Sequence, residues 1–466
     1  MLFCLKFFAC LLAWLPPALV SALCWFLGSL IRIVLPSRSR ITLNSLSHAF
    51  PERTEAWRRR VFRASCARLV EMGLFRLAAT YFSPERLEQT LEISPETRKI
   101  IGEYEAGAMR YGRPVVIMLP HMTLSEAATM LPGQVPGLKP VHAIFRPLNQ
   151  PSINRWVTQE RERFGAKMIS RRSGHNNAMA ALRRGEIVAV LFDQDAASRG
   201  SVITFMGRIA SATDLPALMA HRFGADVFLM LPERQSFWQA RLTLTPIPLG
   251  DSPVDVTIAA HDTLEAYLRR DSATAADWLW LHNRWNYAYK PSKRFHLPEK
   301  RNQLARANAM HGHAAVPRKT RFWVRLPDEL DAVTQALPVL RAIRTGRPDF
   351  EFTLLGKRSF RASLEGQGVA DRFICLPSKG FGYFYTFHRM RLEYPDTFLV
   401  MSDSFRADLE AFLTRCPQRF GIERPGKRRL LLTQAYRIPS TIDATWIHTT
   451  RLWEEMARFY GLREPL

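Results

Sequence analysis

Close pairs of cysteine are missing from this sequence. Its six, Cys4, Cys10, Cys24, Cys66, Cys375 and Cys416, come no nearer than six residues to one another. That spacing neither clips a metal nor builds a disulfide framework, and it suits a reducing setting for most of the chain. Acidic residues are also in short supply. Against 65 Lys and Arg there are 42 Asp and Glu, a net charge of +23, so the partners expected are polyanions: nucleic acid, an anionic bilayer face or a phosphorylated substrate. Zinc-knuckle spacing, an aromatic RNA-binding signature and a basic helix-turn-helix are all absent, so no nucleic acid is expected. Long uncharged stretches are scarce too, and one stands out, Phe7 to Ile31.

That stretch exceeds the roughly twenty residues that cross a bilayer. Pro16 and Pro17 interrupt it, so it is either a kinked span or a helical hairpin in one leaflet. Lys6 alone precedes it, whereas Arg32, Arg38, Arg40 and Arg58 to Arg60 follow. The asymmetry puts the downstream chain on the cytoplasmic side of the membrane. An anchor is expected over residues 1–40, because the apolar run continues past the signal-peptidase-like Val20-Ser21-Ala22.

At 466 residues the chain calls for two folded units. Trp57 to Tyr81 carries apolar residues at helical spacing among arginines, a pattern of an amphipathic helix. Strands then alternate with helices: strands at Pro114–Leu119, Ile187–Phe192 and Val227–Pro232, helices at Ile153–Phe164, Asn176–Arg184 and Leu215–Phe223. Such alternation predicts an α/β domain with a mostly parallel sheet over 41–290. Polar and basic residues over 291–319 read as a linker. Alternation resumes at Arg321 to Val324, Phe352 to Leu355, Phe373 to Leu376 and Thr397 to Met401, giving a second α/β unit over 320–466.

The sharpest constellation is His121-Met122-Thr123-Leu124-Ser125-Glu126, at the end of the strand that closes on Leu119. Five helical steps do not align two side chains. With His121 in the turn and Glu126 in the first helical turn, however, the carboxylate reaches back to one ring nitrogen. The other nitrogen is then free to take a proton from a hydroxyl. The structural alternative is a turn histidine and a glutamate favoured by the helix dipole.

This spacing resembles the His-x4-Asp/Glu signature of the lysophospholipid acyltransferase superfamily, and the surrounding blocks resemble its late lipid A acyltransferase branch, the lauroyl and myristoyl transferases. The blocks are Ile41 to Asn44 with Ala49 to Glu52, Glu71-Met72, Phe145-Arg146-Pro147, Arg163-Phe164-Gly165, Gly185 to Val188, Asp193-Gln194-Asp195, Ser201 to Gly207 and Trp280 to Trp285. Pro120 stands where the branch has glycine, and Leu124-Ser125 where it has Asn-Trp. The resemblance implies transfer of a fatty acyl group from an acyl carrier protein thioester to a hydroxyl of a phosphorylated, lipid A-type glycolipid. His121 is the base and Glu126 its orienting carboxylate, while Arg146, Asp193 and Asp195 contact substrate. No metal or cofactor is required. Met118, Met130 and the Trp278 to Trp285 aromatics read as packing, and His282 as a hydrogen-bonded structural histidine.

The second unit has its own resemblance. Phe322 to Pro327, Asp331 to Val333, Leu337 to Arg344, Asp396 to Asp403, Arg419 to Gly421 and Arg429 to Thr433 resemble the amino-terminal half of family 9 glycosyltransferases, the heptosyltransferases. That implies a Rossmann-like half of a two-lobed fold. Leu330 replaces the family's glycine, while Asp331 keeps the acid that the family proposes as base. With the nucleotide-binding half unmatched, the expected role is docking. The alternatives are a glycosyltransferase acting through Asp331 and an inactive membrane scaffold.

Overall fold

A computed structural model describes residues 2–105, 113–170, 174–197, 200–285, 301–439 and 449–462. The chain divides into two compact units, residues 1–196 with 212–284, and residues 197–211 with 285–466.

The first unit opens with helices α1 (Leu2–Trp14), α2 (Pro17–Val34), α3 (Pro36–Ala49) and α4 (Glu55–Ala78). The prolines act where proline is tolerated: Pro16 breaks the apolar run, while Pro17 and Pro36 occupy the first turns of α2 and α3. Of the described helices, α2 alone is long and apolar enough to cross a membrane. Thr54 caps α4 by accepting from the Trp57 amide.

A seven-stranded sheet follows. Its strands are β1 (Leu91–Ile93), β2 (Val115–Leu119), β3 (Val141–Phe145), β4 (Lys167–Ser170), β5 (Ile187–Leu191), β8 (Asp226–Ser236) and β9 (Gln239–Ile247), with the hairpin β6 (Ser201–Phe205) and β7 (Arg208–Ala212) between β5 and β8. The sheet order is β1-β9-β8-β2-β5-β3-β4, and every neighbouring pair is parallel except β8 with β9. Strand β2 reads Val-Val-Ile-Met-Leu and is buried over its first four residues, as expected of a strand covered on both faces. The expected strands and helices are present with ends shifted by a few residues. Helix Leu215–Phe223 keeps its expected bounds and ends on Gly224, whose φ of 58° is the left-handed conformation a helix stop favours.

The second unit holds a six-stranded sheet of β10 (Thr320–Arg325), β11 (Phe350–Gly356), β12 (Arg372–Cys375), β13 (Thr397–Val400), β14 (Gln418–Glu423) and β15 (Gln434–Arg437). Its order is β12-β11-β10-β13-β14-β15, parallel throughout. The third strand thus starts an order that runs back to the first and then on through the fourth, the doubly wound Rossmann arrangement. Phe322, Val324, Phe352, Leu399 and Phe420 centre its core. Within the stretch read as a linker, Arg301–Met310 is helical, while residues 291–300 lie outside the described ones.

The hairpin β6–β7 falls inside the blocks that resemble acyltransferases, yet it folds with the second unit. There Arg208 forms a fully buried ion pair with Asp396 at 3.3 Å, and the Phe205 ring stacks on Trp285.

Candidate active site

In the first unit β2 and β5 are parallel neighbours in the sheet, and β3 lies on the other side of β5. Their carboxyl ends therefore point the same way, the edge where open α/β sheets place ligands. His121 follows β2, Asp193 follows β5 and Arg146 follows β3.

The carboxylate on the His121 ring is Asp193, which corrects the expected pairing with Glu126. Nδ1 of His121 lies 2.6 Å from Oδ1 of Asp193, and the His121 backbone amide donates to Oδ2 at 2.9 Å. The Trp278 indole donates to the same Oδ2 at 2.6 Å. Burial opposes ionisation of Asp193, but the His121 imidazole and these donors outweigh it and hold the carboxyl far below the usual range. With Nδ1–H given to a fixed carboxylate, Nε2 is left as the acceptor. The Gln194 amide nitrogen sits 2.9 Å from it.

Residues 277–280 hold the His121 turn from the other side. The Thr123 amide donates to the Asp277 carbonyl at 2.9 Å, the Leu279 amide donates to the His121 carbonyl at 3.0 Å, and Met122 bridges Trp278. Trp278 and Trp280 meet edge to face with ring centroids 4.7 Å apart. Part of the expected packing role for these aromatics is thus met, with Trp278 adding a donor. His282 is largely buried, and burial pushes its pKa down to about 4.

Glu126 faces elsewhere because Ser125–Met130 winds as a 3-10 helix, which directs its side chain toward α4 and the helix Pro151–Glu162. Arg161 donates to both carboxylate oxygens, at 2.9 Å from Nε and 2.6 Å from Nη2, and Arg76 of α4 also binds Oε1. These three line a small cavity with Thr129, Trp156 and Arg163. The fork of Arg161 on a carboxylate is a strong, geometrically fixed contact. Sequence spacing could not reveal it, since Arg76 and Arg161 come from separate helices and carry no motif.

The other expected residues are placed as follows. Arg146 is exposed at the exit of β3, and Asp195 is partly buried two residues past Asp193, outside the hydrogen bonds on the His121 ring. Asp331 belongs to the second unit, exposed in the first turn of the helix Leu330–Gly346. Glu71 of α4 is buried and receives Arg234 at 2.8 Å. Among the described residues no group of His, Cys, Asp and Glu is arranged to hold a metal.

Solved structures and curated relatives each show similarity to this chain. Two solved structures resemble it weakly: the ADP-heptose LPS heptosyltransferase II of Escherichia coli (TM-score 0.26, 17% identity, 30% of this chain and 40% of that one), and a family 9 glycosyl transferase from Veillonella parvula (TM-score 0.27, 16% identity, 31% and 42%). The present chain thus spans less than half of either. Among curated relatives, the lipid A biosynthesis lauroyltransferase of Escherichia coli is 25% identical over 275 residues, 58% of this chain and 86% of the relative. The palmitoleoyltransferase of the same organism is 25% identical over 268 residues, 56% and 82%. A lipid A biosynthesis acyltransferase of Haemophilus influenzae is 26% identical over 283 residues, 59% and 84%. The family described as bacterial lipid A biosynthesis acyltransferase matches residues 1–287, which include the whole His121 site, and the chain belongs to that family.

Proposed function

We propose that this protein transfers a fatty acyl group from the thioester of an acyl carrier protein to a hydroxyl of a lipid A-type glycolipid, with His121 as general base. The observation that carries this reading is the His121–Asp193 pair, held at 2.6 Å at the ends of two adjacent parallel strands, inside the stretch matched to the family.

Asp193 fixes the tautomer and orientation of the ring and stabilises the imidazolium that forms. The acceptor hydroxyl displaces the Gln194 amide from Nε2 and gives its proton to that nitrogen. The alkoxide oxygen attacks the thioester carbonyl, and the tetrahedral intermediate collapses with the carrier's thiolate as leaving group. The imidazolium returns its proton to the thiolate, so the histidine ends as it began. No metal enters these steps.

Arg146 and Asp195 are assigned to substrate contact, Arg146 to a phosphate of the glycolipid because its exposed guanidinium suits bidentate binding. Glu126 is assigned to holding Arg76 and Arg161 beside the site. The net charge of +23 suits an acidic carrier, a phosphorylated acceptor and an anionic membrane face alike. The arginines after the apolar run favour the cytoplasmic side of the inner membrane. The second unit is assigned to docking.

The test is purified protein with acyl carrier protein thioesters of several chain lengths and an under-acylated lipid A precursor. Mass spectrometry is expected to find one added acyl group on the glycolipid. No mass gain with any donor, in a folded preparation, would defeat the reading.

A further inference from the structure

The apolar amino-terminal helices each have two faces. On α1, Ala9 packs with Trp156 and Val157 of the helix Pro151–Glu162. Leu12 and Ala13, with Val20 and Cys24 of α2, pack with Leu74, Phe75 and Ala78 of α4. Further along α2, Gly28 lies against α4 so closely that a Cβ there would be 2.6 Å from the Ala67 nitrogen. Both helices are thus fastened along their length to the body of the first unit. Their opposite faces, uncovered among the described residues, carry large apolar side chains: Phe3, Phe7 and Trp14 at 80, 66 and 82% exposure on α1, and Leu19, Trp25, Phe26 and Ile33 at 59, 51, 66 and 76% on α2.

We infer that α1 and α2 form a two-helix wedge that lies in one leaflet of a bilayer, presenting these faces to the acyl chains without crossing. Length and composition alone would make α2 a span. Its packing forbids that. The middle of α2 touches Cys66 and Ala67, so a spanning α2 would carry the middle of α4 to the bilayer centre. Arg63, Arg68 and the Glu71–Arg234 ion pair lie within about one turn of that point, and charged groups are costly at that depth. Lying flat, the apolar faces enter the acyl region while α4 stays above it. Arg32, Arg38 and the exposed Lys6 then meet anionic headgroups. The wedge also borders the Arg76–Glu126–Arg161 cavity, since Trp156 and Val157 pack against Ala9 and line that cavity as well. The inference holds whether or not the chain transfers acyl groups.

The experiment uses the full chain with one protease-cleavable tag before Met1 and another after Leu466. Spheroplasts and inverted inner-membrane vesicles are treated with protease. Both tags are expected to be cleaved in one preparation and both protected in the other, whereas cleavage of one tag in each preparation overturns the wedge. Depth supplies a second reading, in vesicles of phosphatidylethanolamine and phosphatidylglycerol. The fluorescence lost in Trp14→Phe and in Trp25→Phe should be quenched more by lipids brominated near the headgroup than near the chain end, and the reverse order for Trp25 overturns it. A variant combining Phe7→Asn with Phe26→Asn should bind these vesicles at least tenfold more weakly. Acyl transfer in detergent micelles is measured alongside and reports on the proposed reaction separately, so either idea can fail while the other stands.

Discussion

Asp193 binds His121 twice, accepting from the backbone amide through Oδ2 at 2.9 Å and meeting the ring through Oδ1 at 2.6 Å. One carboxylate therefore fixes both where the turn sits and which ring nitrogen is free. Replacing it with asparagine keeps the size but removes the charge that selects the tautomer. Asp193→Asn is expected to lower turnover by about 10²–10⁴-fold with little change in apparent affinity for the glycolipid. Steady-state kinetics on the variant check this, and near-normal turnover would leave Asp193 without its assigned role.

His121→Ala removes the assigned base itself. Turnover should fall by about a hundredfold or more, and glycolipid binding should persist. Combining it with Asp193→Asn should add little, because the two residues act as a unit. Additive losses in the double variant would mean that they act separately.

Glu126→Gln should behave differently. Its partners Arg76 and Arg161 are left without their countercharge in a largely enclosed place. Removing one member of a buried ion pair costs up to about 3–5 kcal/mol, reduced here because Arg76 is a third exposed. Thermal unfolding is expected to shift downward, while the pH profile of the remaining activity stays that of the unaltered protein. A displaced profile without a stability change would restore Glu126 as the partner of the histidine.

Arg208 and Asp396 are both fully buried at 3.3 Å. Asp396→Leu takes a carboxylate away from the Arg208 guanidinium and from the Arg321 amide that donates to it at 2.9 Å, and should destabilise the second unit by about 3–5 kcal/mol. Adding Arg208→Met removes the unbalanced charge and should recover part of the loss, while the Arg321 amide still lacks its acceptor. Denaturant unfolding of the single and double variants decides this. For the same reason, deleting residues 318–466 takes Asp396 away from the hairpin, and the truncated chain should aggregate.

Acid should destabilise the first unit through two histidines kept neutral by burial. The pKa of His282 is pushed down to about 4 and that of His261 to about 3, against about 6.5 in the unfolded chain. Between those values the unfolded state binds more protons. Stability therefore falls as the pH drops below about 6.5, by up to about 1.4 kcal/mol per pH unit for each histidine. For His282 the loss levels off near about 4. His282→Gln should flatten the slope between pH 6.5 and 4 in a series of melting curves.

Periodicity and composition by themselves determined the alternation of strands and helices in both units, the mostly parallel first sheet and the apolar start, and short motifs determined the order of the acyltransferase blocks. These are local properties, written in the spacing of apolar residues and in short motifs. His121 was legible for that reason, as a histidine at a strand end. Its partner was not. Glu126 is five residues away in the chain and Asp193 seventy-two, and only the pairing of β2 with β5 brings the more distant carboxylate to the ring. Arg76 and Arg161 were hidden in the same way, on helices that meet Glu126 only after folding. The hairpin β6–β7 reads in sequence as part of the acyltransferase blocks, yet the Arg208–Asp396 pair, the Phe205–Trp285 stack and the hydrogen bonds of Val202 to Gln303 and of Thr204 with His311 tie it into the Rossmann-like unit. At the amino terminus the sequence left a span and a one-leaflet hairpin equally open. The close approach of Gly28 to Ala67 separates them, because hydropathy counts the residues of a helix, whereas packing decides which of its faces can reach lipid.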